Sequence, residues 1–205
     1  MMLPFDALIV ALLSTFLFLA LSAALALVIV SLRRPSRVLL IAATGLVVLA
    51  LIIVAVTPVN VPVAVGLIIA LLGTSLAILG GDPVTRQVLT IATHGTVRDG
   101  AAGGILLRAP ASATEDSNEA SVSSHPEVRE VMRGGATIGY LERTAVVVAI
   151  VAGFPEALAI IVAVKGVGRF SELAAAESRE RFIIGTMASL LWASVVGGLV
   201  HLAIW

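Results

Sequence analysis

Long apolar runs dominate this chain of 205 residues and decide what it can fold into. Several of them approach or exceed the roughly 18–20 residues that an α-helix needs to cross a bilayer. Apolar residues make up 59% of the chain and charged residues only 13%, against about 25% charged residues in soluble domains. We therefore predict an all-α fold: a polytopic, integral membrane helical bundle.

Helix-breaking residues divide the apolar runs into about six predicted transmembrane helices. Proline lacks an N–H and disfavours helix in the residue before it, so it marks three of the breaks. These breaks lie at Thr57-Pro58, at Gly80-Gly81-Asp82-Pro83 and at Phe154-Pro155. The predicted helices cover residues 7–31, 38–57, 61–80, 136–153, 155–170 and 182–204.

Composition divides the chain into three regions. These are an N-terminal three-helix membrane region (1–81), a long loop (82–135) and a C-terminal three-helix membrane region with embedded charges (136–205). Residues 82–94 have the spacing of a short amphipathic helix, either on the membrane surface or exposed beside it. Residues 111–124 are rich in small and polar side chains and cannot bury a core, so we expect a partly disordered loop.

Basic residues lie on one side of the predicted bundle. Arg and Lys occur in the connections between helices one and two, three and four, and five and six, whereas the opposite side has none. Cytoplasmic loops of membrane proteins have an excess of Lys and Arg. We therefore predict that the long loop is cytoplasmic and that both termini lie outside.

Four charged residues occur within or beside the apolar runs of the last three helices: Glu142, Arg143, Lys165 and Arg169. A charge near the bilayer centre costs about 2.5–3.5 kcal/mol on insertion scales, so such residues usually face a partner or a cavity. Counted from Gly134, Glu142 lies about 12 Å into a hydrocarbon layer about 30 Å thick. Arg143 is long enough to extend toward a head group, and Glu142 is not.

Lys165 and Arg169 are four residues apart and share a helix face, and we expect them at a depth similar to that of Glu142. Together with nearby polar residues they form the predicted site, which comprises Tyr140, Glu142, Arg143, Lys165, Arg169, Glu172 and Thr186. Three interpretations are open. The charges form ion pairs that fix helix packing, or Lys165 and Arg169 bind an anionic lipid or a phosphate, or Glu142 lies on a proton or ion path.

Small residues recur every four positions along the sixth helix, at Gly185, Ser189, Ala193 and Gly197. Such a stripe lets two helices approach closely. We expect it to pack against a neighbouring helix, either inside the protomer or in a homo-oligomer.

The sequence contains no pattern that indicates catalysis, a metal or a cofactor. Cysteine is absent, and the three histidines lack the spacing of metal ligands. Basic and acidic residues balance at 13 each, which argues against nucleic-acid binding. The preferred prediction is a non-enzymatic membrane protein that contacts membrane lipids. The alternatives are a small transporter or channel using Glu142 and Lys165, and a lipid-modifying enzyme with Glu142 as base, which lacks a nucleophile or metal-binding set.

The C-terminal segment resembles the membrane region of a bacterial inner-membrane family of unknown function. The resemblance covers about residues 135–195 and rests on charged positions that recur in the same order. The segments that contain these positions and their neighbours are Gly139-Tyr140-Leu141-Glu142-Arg143, Pro155-Glu156-Ala157, Lys165, Arg169-Phe170, Glu172-Leu173, Ile184-Gly185-Thr186 and Ser189. The resemblance implies a bacterial cytoplasmic (inner) membrane location and one structural unit containing the embedded charges. It implies no activity.

Overall fold

A computed structural model describes residues 4–34, 36–92, 105–108, 128–131, 135–168 and 176–205 of the protein. The helices within these ranges are α1 (Pro4–Arg33), α2 (Arg37–Val56), α3 (Val63–Ala92), α4 (Gly135–Val151), α5 (Ala157–Gly168) and α6 (Ala176–Ile204). Two short strands, β1 (Ile105–Arg108) and β2 (Val128–Val131), pair antiparallel. The predicted linker at 111–124 lies outside the described residues.

Four of the helices are long and apolar enough to cross a membrane. They are Phe5–Arg33, Arg37–Val56, Val63–Ala92 and Arg179–Ile204, with mean hydropathies between 1.9 and 3.1. α4 has 17 residues and α5 only 12. The predicted helical fold is therefore confirmed, with four helices that meet the length and hydropathy of a membrane span.

The turns at residues 57–62 and 152–156 lie where proline predicted them. Thr57 ends α2, and its N–H bonds to the carbonyls of Ile53 and Val54. Between α4 and α5, Gly153 adopts a φ of 75°, a left-handed conformation that glycine adopts without steric cost.

The predicted end of the third helix at Gly80-Gly81-Asp82-Pro83 is wrong, as is the separate short helix at 82–94. α3 continues through Pro83 to Ala92. Proline is tolerated within membrane helices because neighbouring helices and local adjustments satisfy the backbone groups that it frees. Here α4 and α6 both pack against the Gly80–Asp82 segment, as described below.

Close packing of α3 against α6 forms the centre of the bundle. Gly66, Gly73 and Gly80 recur every seven residues on α3, and each faces an α6 side chain: Ile204, Val200 and Trp192, respectively. The order of these contacts shows that α3 and α6 run antiparallel. The fully buried large side chains of the hydrophobic core include Leu17, Leu21, Val28, Val47, Ile69, Leu76, Leu199 and Val200.

The small residues of α6 pack within the protomer. A Cβ at Gly197 would lie 3.3 Å from Ile150 Cβ on α4, and one at Gly185 would meet Thr85 and Leu89 on α3 at 3.6 Å. Arg143 on α4 contacts Ser189 on α6, and Ile150 contacts Gly197, so these two helices run parallel.

Replacing Gly73 with Ala tests the α3–α6 seam. The added Cβ would lie 2.5 Å from Val200 Cγ2, so G73A should lower the free energy of unfolding by about 1–3 kcal/mol, as overpacking does. Gly45 on α2 is the matched control, because a Cβ there meets nothing within 4 Å. G45A should leave stability unchanged or raise it by up to about 1 kcal/mol. Equal effects in unfolding titrations in detergent would contradict this packing.

Candidate functional site: two ion pairs on helix α4

Adjacent residues of α4 carry opposite charges and pair with different helices. Glu142 and Arg143 are neighbours in sequence, so they project about 100° apart around the helix axis. Glu142 contacts α5, whereas Arg143 reaches α3 and α6. α4 therefore connects three helices through charged groups.

The Arg143 side chain is buried between α3, α4 and α6, with only 2% of its side chain exposed. Its Nη2 donates a hydrogen bond to Asp82 Oδ1 at 2.9 Å, and its Nη1 donates to Ser189 Oγ at 3.1 Å. The guanidinium also lies 5.3 Å from the centre of the Tyr140 ring, within cation–π range. These partners lie on α3 and α6, so the Arg143 side chain is held between the helices of the bundle.

Two glycines make room for the guanidinium. A Cβ at Gly81 would overlap Arg143 Cδ and Nε, and one at Gly139 would lie 3.2 Å from Nη1. Gly81 is therefore required for the approach of α3 to α4 at this level. The Nε of Arg143 is buried and has no hydrogen-bond partner among the described residues.

Glu142 forms the second ion pair, with Lys165 on α5. Lys165 Nζ lies 2.5 Å from Glu142 Oε2, and the side chains are 15% and 9% exposed, respectively. Lys165 Nζ also lies 5.7 Å from the centre of the Phe182 ring on α6. Glu142 lies nine residues before the end of α4 and Lys165 eight residues after the start of α5, so the connecting turn places them at one level.

The structure brings together part of the predicted site. Tyr140, Glu142, Arg143 and Lys165 form the two paired groups, and Thr186 is buried on α6. Arg169 and Glu172 lie outside the described residues. In the described part of the chain, no group of three or more His, Asp or Glu residues is placed to hold a metal ion.

Sequence reasoning missed three members of the site. The sequence predicts Gly81 and Asp82 at a helix end and Ser189 in a stripe of small packing residues. One sequence signal points to Asp82. It is an acidic residue that follows two glycines at the end of an apolar run without Arg or Lys. A buried arginine usually pairs with a carboxylate of this kind.

The protein was compared with known proteins once this geometry was established. No family model, curated protein or solved structure matches the chain. The resemblance of the C-terminal segment to a bacterial inner-membrane family therefore stays a prediction.

The Arg143–Asp82 pair predicts unequal costs for removing its two members. D82N leaves a buried cation without its counter-charge and should lower the free energy of unfolding by about 3 kcal/mol. R143M should cost less, because Asp82 is 27% exposed and its carboxylate can be hydrated. The D82N/R143M double variant should be more stable than D82N alone.

The free energy of unfolding is measured by titrating the detergent-solubilised protein with a denaturing detergent. Glu156, exposed at the turn between α4 and α5, supplies the control, since E156Q removes a carboxylate without a buried partner. If D82N unfolds at the same point as E156Q, the pair does not stabilise the bundle.

Proposed function

We propose that this chain is a non-enzymatic integral membrane protein in which the ion pairs of α4 brace the C-terminal helices. The supporting observation is that both embedded charges of α4 are paired, one with α3 and one with α5. Breaking a buried pair costs far more than a surface pair does, because it leaves a charge without compensation. The bracing keeps the short α5 attached and fixes the level at which α3 meets α4.

The alternative of an anion site at Lys165 and Arg169 has less support. The Lys165 ammonium already contacts Glu142, so an incoming phosphate would compete with a carboxylate for it. Bracing needs no such competition, and it uses Glu142 and Lys165 together.

A transport path through Glu142 and Lys165 is the second candidate. One observation favours it: α5 has no buried residue, and it is attached to α4 by this pair. A weakly packed helix attached through a charge pair can move as the pair opens. Proteoliposomes distinguish the two functions, because bracing predicts no ion or proton flux in the wild type or in E142Q. A flux that E142Q abolishes would favour transport.

Bracing predicts how Glu142 and Lys165 variants behave together. E142Q and K165M should each lower the thermal unfolding midpoint in detergent, because each leaves one charge unpaired. The double variant should recover part of the loss. R34M removes an exposed cation and should leave the midpoint unchanged. Additive losses in the double variant would contradict bracing by this pair.

We propose a bacterial inner membrane location, six spans and both termini outside. The support is that Arg occurs in the connections on one side of the predicted bundle, whereas the connections on the other side contain no Arg or Lys. The chain has no cysteine, so single-cysteine variants give labelling without background. A membrane-impermeant maleimide on intact cells should label N60C, between α2 and α3. It should label S36C, between α1 and α2, only after lysis. The reverse pattern would overturn the orientation.

A further inference from the structure

An apolar groove of about 610 Å³ lies between α2, α3 and α6, on the side of α6 away from α4. α2 contributes Thr44 and Val48, and α3 contributes Val84 and Val88. The α6 wall extends from Ile183 to Val195. Apart from the Thr44 hydroxyl and the Met187 thioether, its lining side chains are aliphatic or aromatic. It is open along one side, where the outer ends of its walls are exposed.

Trp192 provides a fixed surface in this groove. The indole Nε1 donates to the Leu76 carbonyl at 3.4 Å, and the ring lies against Gly80, where a Cβ would be 2.8 Å from Cζ2. The Trp192 side chain is buried. Its ring therefore does not need to move for the groove to be filled, which lowers the cost of binding.

The length of the groove matches one leaflet of a bilayer. From Ile183 to Val195 the α6 wall measures about 18 Å at 1.5 Å per residue. One leaflet contributes about 15 Å, half of a hydrocarbon core about 30 Å thick. A spanning helix from a second copy would need a seat about twice as long. A single acyl chain therefore fits this groove better than a transmembrane helix does.

Charge is concentrated beyond one end of the groove. Arg37 lies seven residues before Thr44 on the same face of α2, and Arg179 lies four residues before Ile183 on α6. Both side chains are exposed. Arg179, Glu180 and Arg181 follow one another at the start of α6, so their side chains project about 100° apart. Together with Arg37 they are three cations and one carboxylate, with a net charge of +2.

Burial of an acyl chain gains little by itself, because lipid tails are as apolar as the groove. Selective occupancy must therefore come from the head group. A phosphate is well matched to arginine, which can donate two parallel hydrogen bonds to it. We propose that the groove binds one acyl chain of an anionic phospholipid, with the head group at Arg37. The site is independent of the bracing proposed above, since it uses neither ion pair.

Trp192 fluorescence tests this site. The chain has two tryptophans, and the W205F variant leaves Trp192 as the single emitter. The protein is reconstituted in vesicles containing equal mole fractions of brominated phosphatidylglycerol or brominated phosphatidylcholine, whose chains quench tryptophan on contact. The anionic lipid should quench more strongly, with a relative association constant at least about five-fold higher, the effect of one arginine near a membrane surface.

Two variants assign the effect to the groove. R37Q should reduce the preference for the anionic lipid about five-fold, and added salt should reduce it in the wild type. A188F fills the groove and should reduce quenching by both lipids. A145F, on an exposed face of α4, is the matched control. It should change neither the preference for the anionic lipid nor the quenching by the two lipids.

Equal quenching by the two lipids, or a preference unaffected by R37Q, would overturn the proposal. So would protection of Trp192 from both lipids together with a cross-linkable dimer, because that result would place a second copy in the groove. R37Q changes only an exposed side chain, so the test stands even if A188F does not fold.

Discussion

The guanidinium group of Arg143 lies where α3, α4 and α6 meet. The geometry of this junction depends on providing the guanidinium with a counter-charge and hydrogen-bond acceptors. A buried cation is tolerated only with a counter-charge and hydrogen-bond acceptors. Asp82 supplies the charge and Ser189 a second acceptor. Both partners come from helices distant in sequence, so the contact fixes the level of α3 and of α6 relative to α4. Gly81 and Gly139 then become requirements of the same contact.

Glu142 places an opposite charge one residue away and directs it to another helix. The two ion pairs leave the four charged side chains neutral as a group. Each charge has its own partner, so neither pair depends on the other for neutrality. α5 has no buried residue, and Lys165 joins it to α4 through this ion pair. The α4 charges thus serve a tightly packed junction on one side and a loosely packed helix on the other.

Local sequence signals predicted the helices where local chemistry decides the outcome. The turns at Thr57-Pro58 and Phe154-Pro155 follow from proline and lie where they were predicted. The same rule predicts a helix end at Pro83, but α3 continues through this residue to Ala92. The contacts of Gly80 and Gly81 with Trp192 and Arg143 hold the segment in a helix, and no local rule contains them.

The same distinction between local sequence signals and tertiary contacts applies to the candidate site. Glu142 and Lys165 meet because a short turn joins their helices, and equal distances from that turn place them together. The partners of Arg143 are 61 and 46 residues away. Their register is set by side-chain packing between α3, α4 and α6, which hydrophobic periodicity does not specify. Sequence could therefore predict that Arg143 needs an acid, but not that Asp82 provides it.

Gly80 and Gly81 lie between the two proposed sites, the apolar groove beside Trp192 and the ion pair of Arg143. The missing Cβ of Gly80 admits Trp192, which is buried against the groove, and that of Gly81 admits Arg143. Because the glycines are consecutive, the two side chains approach α3 from directions about 100° apart. A larger residue at either position would push α3 away from one neighbour and, through the rigid helix, change its contact with the other. The arrangement explains why this segment is helical yet built from residues that ordinarily end helices: close approach from two sides requires small residues, and tertiary contacts supply the stability that helix propensity does not.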